Sequence, residues 1–73
     1  MSRPTHGDII VSVSGQRPAA YDVRIEPGPP QLTVSGRELV VRRVCEFASR
    51  NAVNAWWADD GSFRLLASHR SDS

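Results

Sequence analysis

Two adjacent tryptophans, Trp56 and Trp57, lie shortly before an Asp-Gly turn signal at residues 60–61. Apolar, strand-forming residues on both sides of that signal predict a β-hairpin. Successive side chains of a strand point to opposite faces of the sheet, so the two indoles cannot enter one core. One of them must lie on a face that a chain of 73 residues is too short to cover with a second layer. That tryptophan is the main functional signal in the sequence.

Two turns fit residues 59–61, and they give different registers for the hairpin. A two-residue loop would pair Ala58 with Phe63, whereas a three-residue loop with the glycine as a bulge would pair Ala58 with Ser62. Register follows the hydrophobic pattern wherever one face is buried, and only the three-residue loop gives one face that is apolar throughout. We therefore predict the three-residue loop. Its core face consists of Val53, Ala55, Trp57, Phe63, Leu65 and Ala67.

This register places Trp57 in the core and Trp56 on the open face, the side of the sheet away from the helix, directly across from Arg64. In either register Arg64 shares a face with one tryptophan, while Phe63 and Leu65 share a face with the other. We expect the open face to carry an apolar patch rimmed by charges, and such patches often mark interfaces. Trp and Arg are also the residue types most enriched at interface hot spots. The predicted interface residues are Trp56, Arg64, Leu66, Ile10 and Arg24.

Residues 8–14 and 20–26 read as two further strands. The second strand alternates cleanly, with Tyr21, Val23 and Ile25 facing the core and charged side chains between them. The prolines of residues 27–30 stop this strand, because proline cannot donate to a β-ladder.

A helix is predicted from a capping box, with Ser35 as N-cap and Glu38 three residues later, to about Asn51. At 3.6 residues per turn one broad arc of this helix is apolar, and the opposite face carries alternating charges. The apolar arc contains Val40, Val41, Val44, Cys45, Phe47 and Ala48. The charged face contains Glu38, Arg42, Glu46 and Arg50.

The element order predicts an α+β fold, a two-layer ββαββ arrangement in which one helix packs on one face of a four-stranded, mostly antiparallel sheet. Residues 8–67 form one domain, and we expect residues 1–7 and 68–73 to be a flexible leader and a flexible tail. The order resembles that of small bacterial domains of unknown function, without a motif specific to a family. It leaves the order of strands in the sheet open.

Charge and cysteine content narrow the function class. Nine basic and eight acidic residues give a formal net charge of +1, whereas nucleic-acid binders usually carry a clear basic excess. Cys45 is the only cysteine, which rules out an internal disulfide and fits a reducing compartment. Neither a membrane span of about 20 apolar residues nor a signal-peptide core is evident. We expect a cytoplasmic protein that does not bind membranes.

No residue pattern predicts catalysis, a cofactor or a metal. Cys45 lies in the middle of the helix at the border of its apolar arc, where a small buried thiol is the ordinary explanation. His6 and His69 lie near opposite ends of the chain, and the sequence places no Cys, His or carboxylate at metal-ligand spacing from either. Turn chemistry accounts for Asp59 and Asp60.

The sequence therefore predicts a non-enzymatic protein-interaction module that self-associates as a homodimer through the open face, or there binds another protein. The alternative is single-stranded nucleic-acid binding, with Trp56 stacking on bases and Arg24 and Arg64 contacting phosphates. A third interpretation is purely structural: a cross-strand cation–π pair between Trp56 and Arg64.

Overall fold

Within residues 3–15, 19–59 and 61–69, which the computed structural model describes, five strands form one sheet and one helix packs against it. The elements are β1 (Ile9–Val13), β2 (Ala20–Ile25), β3 (Pro30–Ser35), α1 (Arg37–Asn51), β4 (Asn54–Asp59) and β5 (Ser62–Ser68). The strands lie in the order β3-β2-β1-β4-β5. β1 and β4 run parallel, and the other neighbours run antiparallel. The predicted α+β class with one helix on one face is confirmed, but the predicted number of four strands is wrong.

The additional strand, β3, occupies a segment in which the sequence predicted no strand, between the prolines that stop the second strand and the helix. It pairs antiparallel with β2, with Val34 opposite Tyr21 and Ser35 opposite Ala20. Because Ser35 belongs to this ladder, it does not cap the helix. The N-cap is Gly36, with φ 94° and no side-chain cap hydrogen bond. The predicted capping box is therefore wrong, whereas the predicted helix end at Asn51 is confirmed.

The hydrophobic core lies between α1 and the central strands. Its buried members are Ile9, Val11, Val23, Val40, Val44, Ala48 and Ala55. The predicted apolar arc of the helix is confirmed, since its residues are buried or half-buried, and the alternating charges of the opposite face are exposed. Tyr21 and Ile25 also pack against this core, as the alternation in β2 predicted.

The β4–β5 hairpin has a different register from the predicted one. Ala58 lies opposite Phe63, as a two-residue loop requires; Asp60 of that loop lies outside the described residues. Further from the turn a bulge shifts the register, so that Ala55 lies opposite Ala67. A bulge inserts one unpaired residue into one strand and reverses the alternation beyond it. The sequence pattern does not show this, because regular alternation gives each residue a single partner on the neighbouring strand.

The register changes which residues form the core. Trp57 packs against the core as predicted, and Leu66 does so as well, although it was assigned to the open face. Phe63 and Leu65 were predicted to be core residues, and this was wrong. They lie on the open face and are 37% and 46% exposed.

The predicted leader and tail lie partly outside the described residues, at 1–2 and 70–73, and residues 16–18 between β1 and β2 lie outside them as well. Within the described part, the Gly7 N–H donates to the Glu26 carbonyl over 2.9 Å. At the other end, the His69 N–H donates to Asn54 Oδ1 over 3.1 Å. No helix of the described residues is long and apolar enough to cross a membrane.

Gly36 makes the turn from β3 into α1, and its backbone conformation predicts a measurable cost of substitution. A Cβ at this position meets no atom closer than Leu39 Cβ at 4.0 Å, so the cost is backbone strain at positive φ rather than a clash. We expect Gly36→Ala to lower the free energy of unfolding by about 1–3 kcal/mol. Urea denaturation followed by circular dichroism measures this. Ser35→Ala is the matched control, and a loss equal to that of Gly36→Ala would show that Ser35 caps the helix after all.

Candidate interaction surface

The buried carboxylate of Asp8 organises the centre of the sheet. Asp8 precedes β1 and is fully buried. Its Oδ2 accepts hydrogen bonds from the Thr5 N–H (3.0 Å), the Thr5 hydroxyl (3.2 Å) and the Trp56 indole Nε1–H (2.9 Å). Its Oδ1 accepts one from the Asn54 N–H (3.1 Å). A carboxylate can be buried at tolerable cost only when donors replace the water it loses.

Trp56 is held by this carboxylate on the open face. It lies between Ile10 of β1 and Leu65 of β5, and only 3% of it is exposed. A buried indole needs an acceptor for its N–H, and Asp8 supplies it. Since Thr5 donates to the same oxygen, the turn at residues 5–8 lies against the edge of the indole. The predicted side of the sheet is therefore right, but the predicted exposure of Trp56 is wrong.

The remaining predicted interface residues do not all meet. Ile10 is fully buried and lies opposite Arg24, whose guanidinium pairs with Glu26 at 3.2 Å. Arg64 lies opposite Trp57, not Trp56, and so on the helix side of the sheet. Leu66 also lies on that side, in the core. The structure thus brings together Ile10, Trp56 and Arg24 and separates them from Arg64 and Leu66.

The exposed apolar part of the open face is at β5. Phe63 and Leu65 lie side by side on this strand, opposite Ala58 and Trp56. The β2–β3 end of the same face is polar, where the Thr33 hydroxyl donates to Asp22 over 2.8 Å. Sequence reasoning missed the pair Phe63 and Leu65, although the Asp-Gly signal for a two-residue loop was compatible with their exposure. We call Ala58, Phe63 and Leu65 the β5 patch.

Trp57 forms a cluster on the helix side. Its ring lies 5.2 Å from that of Tyr21, centroid to centroid. The Arg37 guanidinium lies 5.0 Å above it, a cation–π contact from the first residue of α1. Arg64 faces it across the hairpin. One tryptophan thus pairs with a carboxylate and the other with arginine.

A groove of about 450 Å³ lies between β3 and α1. Its walls are mostly apolar and include Leu32 and Leu39, which are 54% and 38% exposed. Val34 and Phe47 also line it, and Arg43 is the one charged residue among its lining residues. The sequence did not indicate this groove, because it exists only when β3 is the edge strand.

No group of three or more His, Cys, Asp or Glu side chains within the described residues could hold a metal ion. Cys45 is a free, half-buried thiol. Comparison with protein-family models, with curated proteins and with solved structures yields no significant match. The surfaces described above are therefore the candidate functional sites of the chain.

The role of Asp8 is tested by Asp8→Asn. Both oxygens of Asp8 accept hydrogen bonds from N–H donors. An asparagine side chain has an NH₂ group in place of one of these oxygens, so in either orientation of the amide one donor loses its acceptor. We expect the free energy of unfolding to fall by about 1–3 kcal/mol, the cost of one unsatisfied buried donor. Urea denaturation measures it. Asp22→Asn is the matched control, because an amide oxygen can still accept the Thr33 hydroxyl. Equal stability of the two variants would contradict the assignment.

Proposed function

We propose that this protein is a cytoplasmic, non-enzymatic interaction module that self-associates through the β5 patch. The observation that carries the proposal is the exposure of two large apolar side chains, Phe63 and Leu65, on one face of an edge strand. An edge strand presents unpaired backbone groups, which proteins usually protect with charges or proline. Among the residues of β5, Arg64 is the one charge, and it points to the other face.

A second copy of the chain suits this surface. In a twofold contact between two β5 edges, the patch of one copy packs beside that of the other, so that each apolar residue enters the interface once from each copy. Burial of apolar area is favourable by about 25 cal/mol per Å². The unpaired edge of β5 can add main-chain hydrogen bonds to this gain through β-augmentation. Apolar burial and backbone pairing would therefore both stabilise the same dimer interface.

Single-stranded nucleic-acid binding has less support. The Trp56 ring, which would stack on a base, is buried, and Arg24 is already paired with Glu26. Arg64 does share a face with an aromatic residue, Trp57, but Arg37 lies over that ring. A stacking platform needs an open aromatic face beside cations. The test below nevertheless includes random oligonucleotides, because the binding of a nucleic acid weakens steeply as the salt concentration rises.

The proposal predicts that Leu65→Ser yields a folded monomer. Truncating a central interface residue costs about 2 kcal/mol or more, which raises the dimer dissociation constant roughly thirtyfold. The exposed side chain contributes little to the core, so the circular dichroism spectrum and unfolding midpoint should stay close to those of the wild type. Size-exclusion chromatography with light scattering across a concentration series measures the mass. Trp56→Ser cannot serve here, because that indole is part of the buried structure.

Leu32→Ser is the matched control, since Leu32 is also an exposed leucine but lies on the opposite edge strand and the helix side. It should leave the dimer intact. A wild type that stays monomeric at the highest concentration would refute self-association. Dissociation by Leu32→Ser but not by Leu65→Ser would move the interface to β3. Binding of random oligonucleotides that weakens steeply with salt would favour the nucleic-acid alternative instead.

A further inference from the structure

We propose that the groove between β3 and α1 binds an extended peptide, which adds as a strand to β3 and whose terminal carboxylate is held by Arg43. This surface lies at the opposite edge of the sheet from the β5 patch. It therefore does not depend on self-association. Three features of the groove support a peptide over other occupants.

The first feature is the edge of β3. This strand pairs with β2 on one side, and on the other side its backbone has no backbone partner among the described residues. Residues Pro30–Ser35 contain no charged side chain, and nearly all of them are exposed. Charged residues are a common device against strand addition, and β3 lacks them. Proline and a bulge also discourage pairing, but in β3 both lie before Leu32, so the stretch from Leu32 to Ser35 stays open. An incoming strand would therefore find open donors and acceptors.

The second feature is the shape and lining of the groove. Every second side chain of a strand added to β3 would point to the helix side of the sheet, where the groove lies. Leu32 on the strand and Leu39 on the helix form exposed apolar walls for those side chains. The volume of about 450 Å³ is ample for apolar side chains in alternate positions.

The third feature is the charge of Arg43. Among the described residues it forms no ion pair. A guanidinium presents a planar fork of donors that matches a carboxylate in two-point contact. A single cation beside an apolar groove thus fits a ligand that is apolar along its length and anionic at one end. The free C-terminus of a peptide has this chemistry.

Fluorescence anisotropy tests the proposal with a panel of labelled short peptides in which valine alternates with threonine or serine. Each peptide is made with a free C-terminal carboxylate and as the amide. We expect wild-type protein to bind the carboxylate form at least about tenfold more tightly, as the loss of one charge-assisted hydrogen bond implies. Arg43→Gln should abolish this difference, and Leu39→Ser should weaken both forms. Arg42→Gln is the matched control, because Arg42 neighbours Arg43 but does not line the groove.

Chemical-shift mapping of the amides locates the bound peptide. Shifts in β3 and the first turns of α1 support the proposal. It is overturned if no peptide of the panel binds, if acid and amide bind equally, or if the shifts fall on β5. Binding of decanoate at these residues without peptide binding would identify a small-molecule site and would also overturn it.

Discussion

The carboxylate of Asp8 joins segments that are far apart in the sequence. Its oxygens accept hydrogen bonds from Thr5, from Asn54 and from the indole of Trp56, 48 positions away. Its backbone carbonyl also accepts the Glu26 N–H. Removing a carboxylate from water costs several kcal/mol unless such donors are in place. Sliding β4 along β1 by one residue would carry the indole N–H away from its acceptor. The hydrogen bond between Trp56 and Asp8 therefore favours a single register of this parallel pair.

Because Trp56 is buried at the centre of the sheet, the exposed apolar surface lies at the edges of the sheet. Five strands spaced about 4.8 Å apart span roughly 19 Å, whereas one helix with its side chains is about 10–12 Å across. One helix therefore covers the central strands and leaves the margins uncovered. On the helix side the uncovered margin is the groove at β3, which follows from the proportion of one helix to five strands. The β5 patch lies on the other face, where no helix of the described residues packs.

Local patterns in the sequence predicted the parts of the fold that local forces decide. Alternation identified the inward residues of β2, and helical periodicity identified the buried arc of α1. The bulge in the β4–β5 hairpin was not predictable, because alternation assumes that each residue has one partner. The capping box at Ser35 was a wrong prediction, because Ser35 instead pairs with Ala20 of β2, a non-local interaction that the local pattern does not show. The role of Asp8 was not predictable either, because the contact that explains it joins residues 48 positions apart and depends on the burial of Trp56.

The two proposed surfaces lie at opposite edges of the sheet, so self-association at β5 would leave the peptide groove at β3 uncovered. In a dimer joined at β5, the order β3-β2-β1-β4-β5 places the two β3 strands at the far ends of the assembly. Both grooves then remain accessible, and a twofold axis perpendicular to the sheet keeps them on the same side of it. A partner with two peptide segments would meet the second groove at a high effective concentration, which strengthens binding without any new contact. Self-association would thus convert a weak peptide site into a bivalent one.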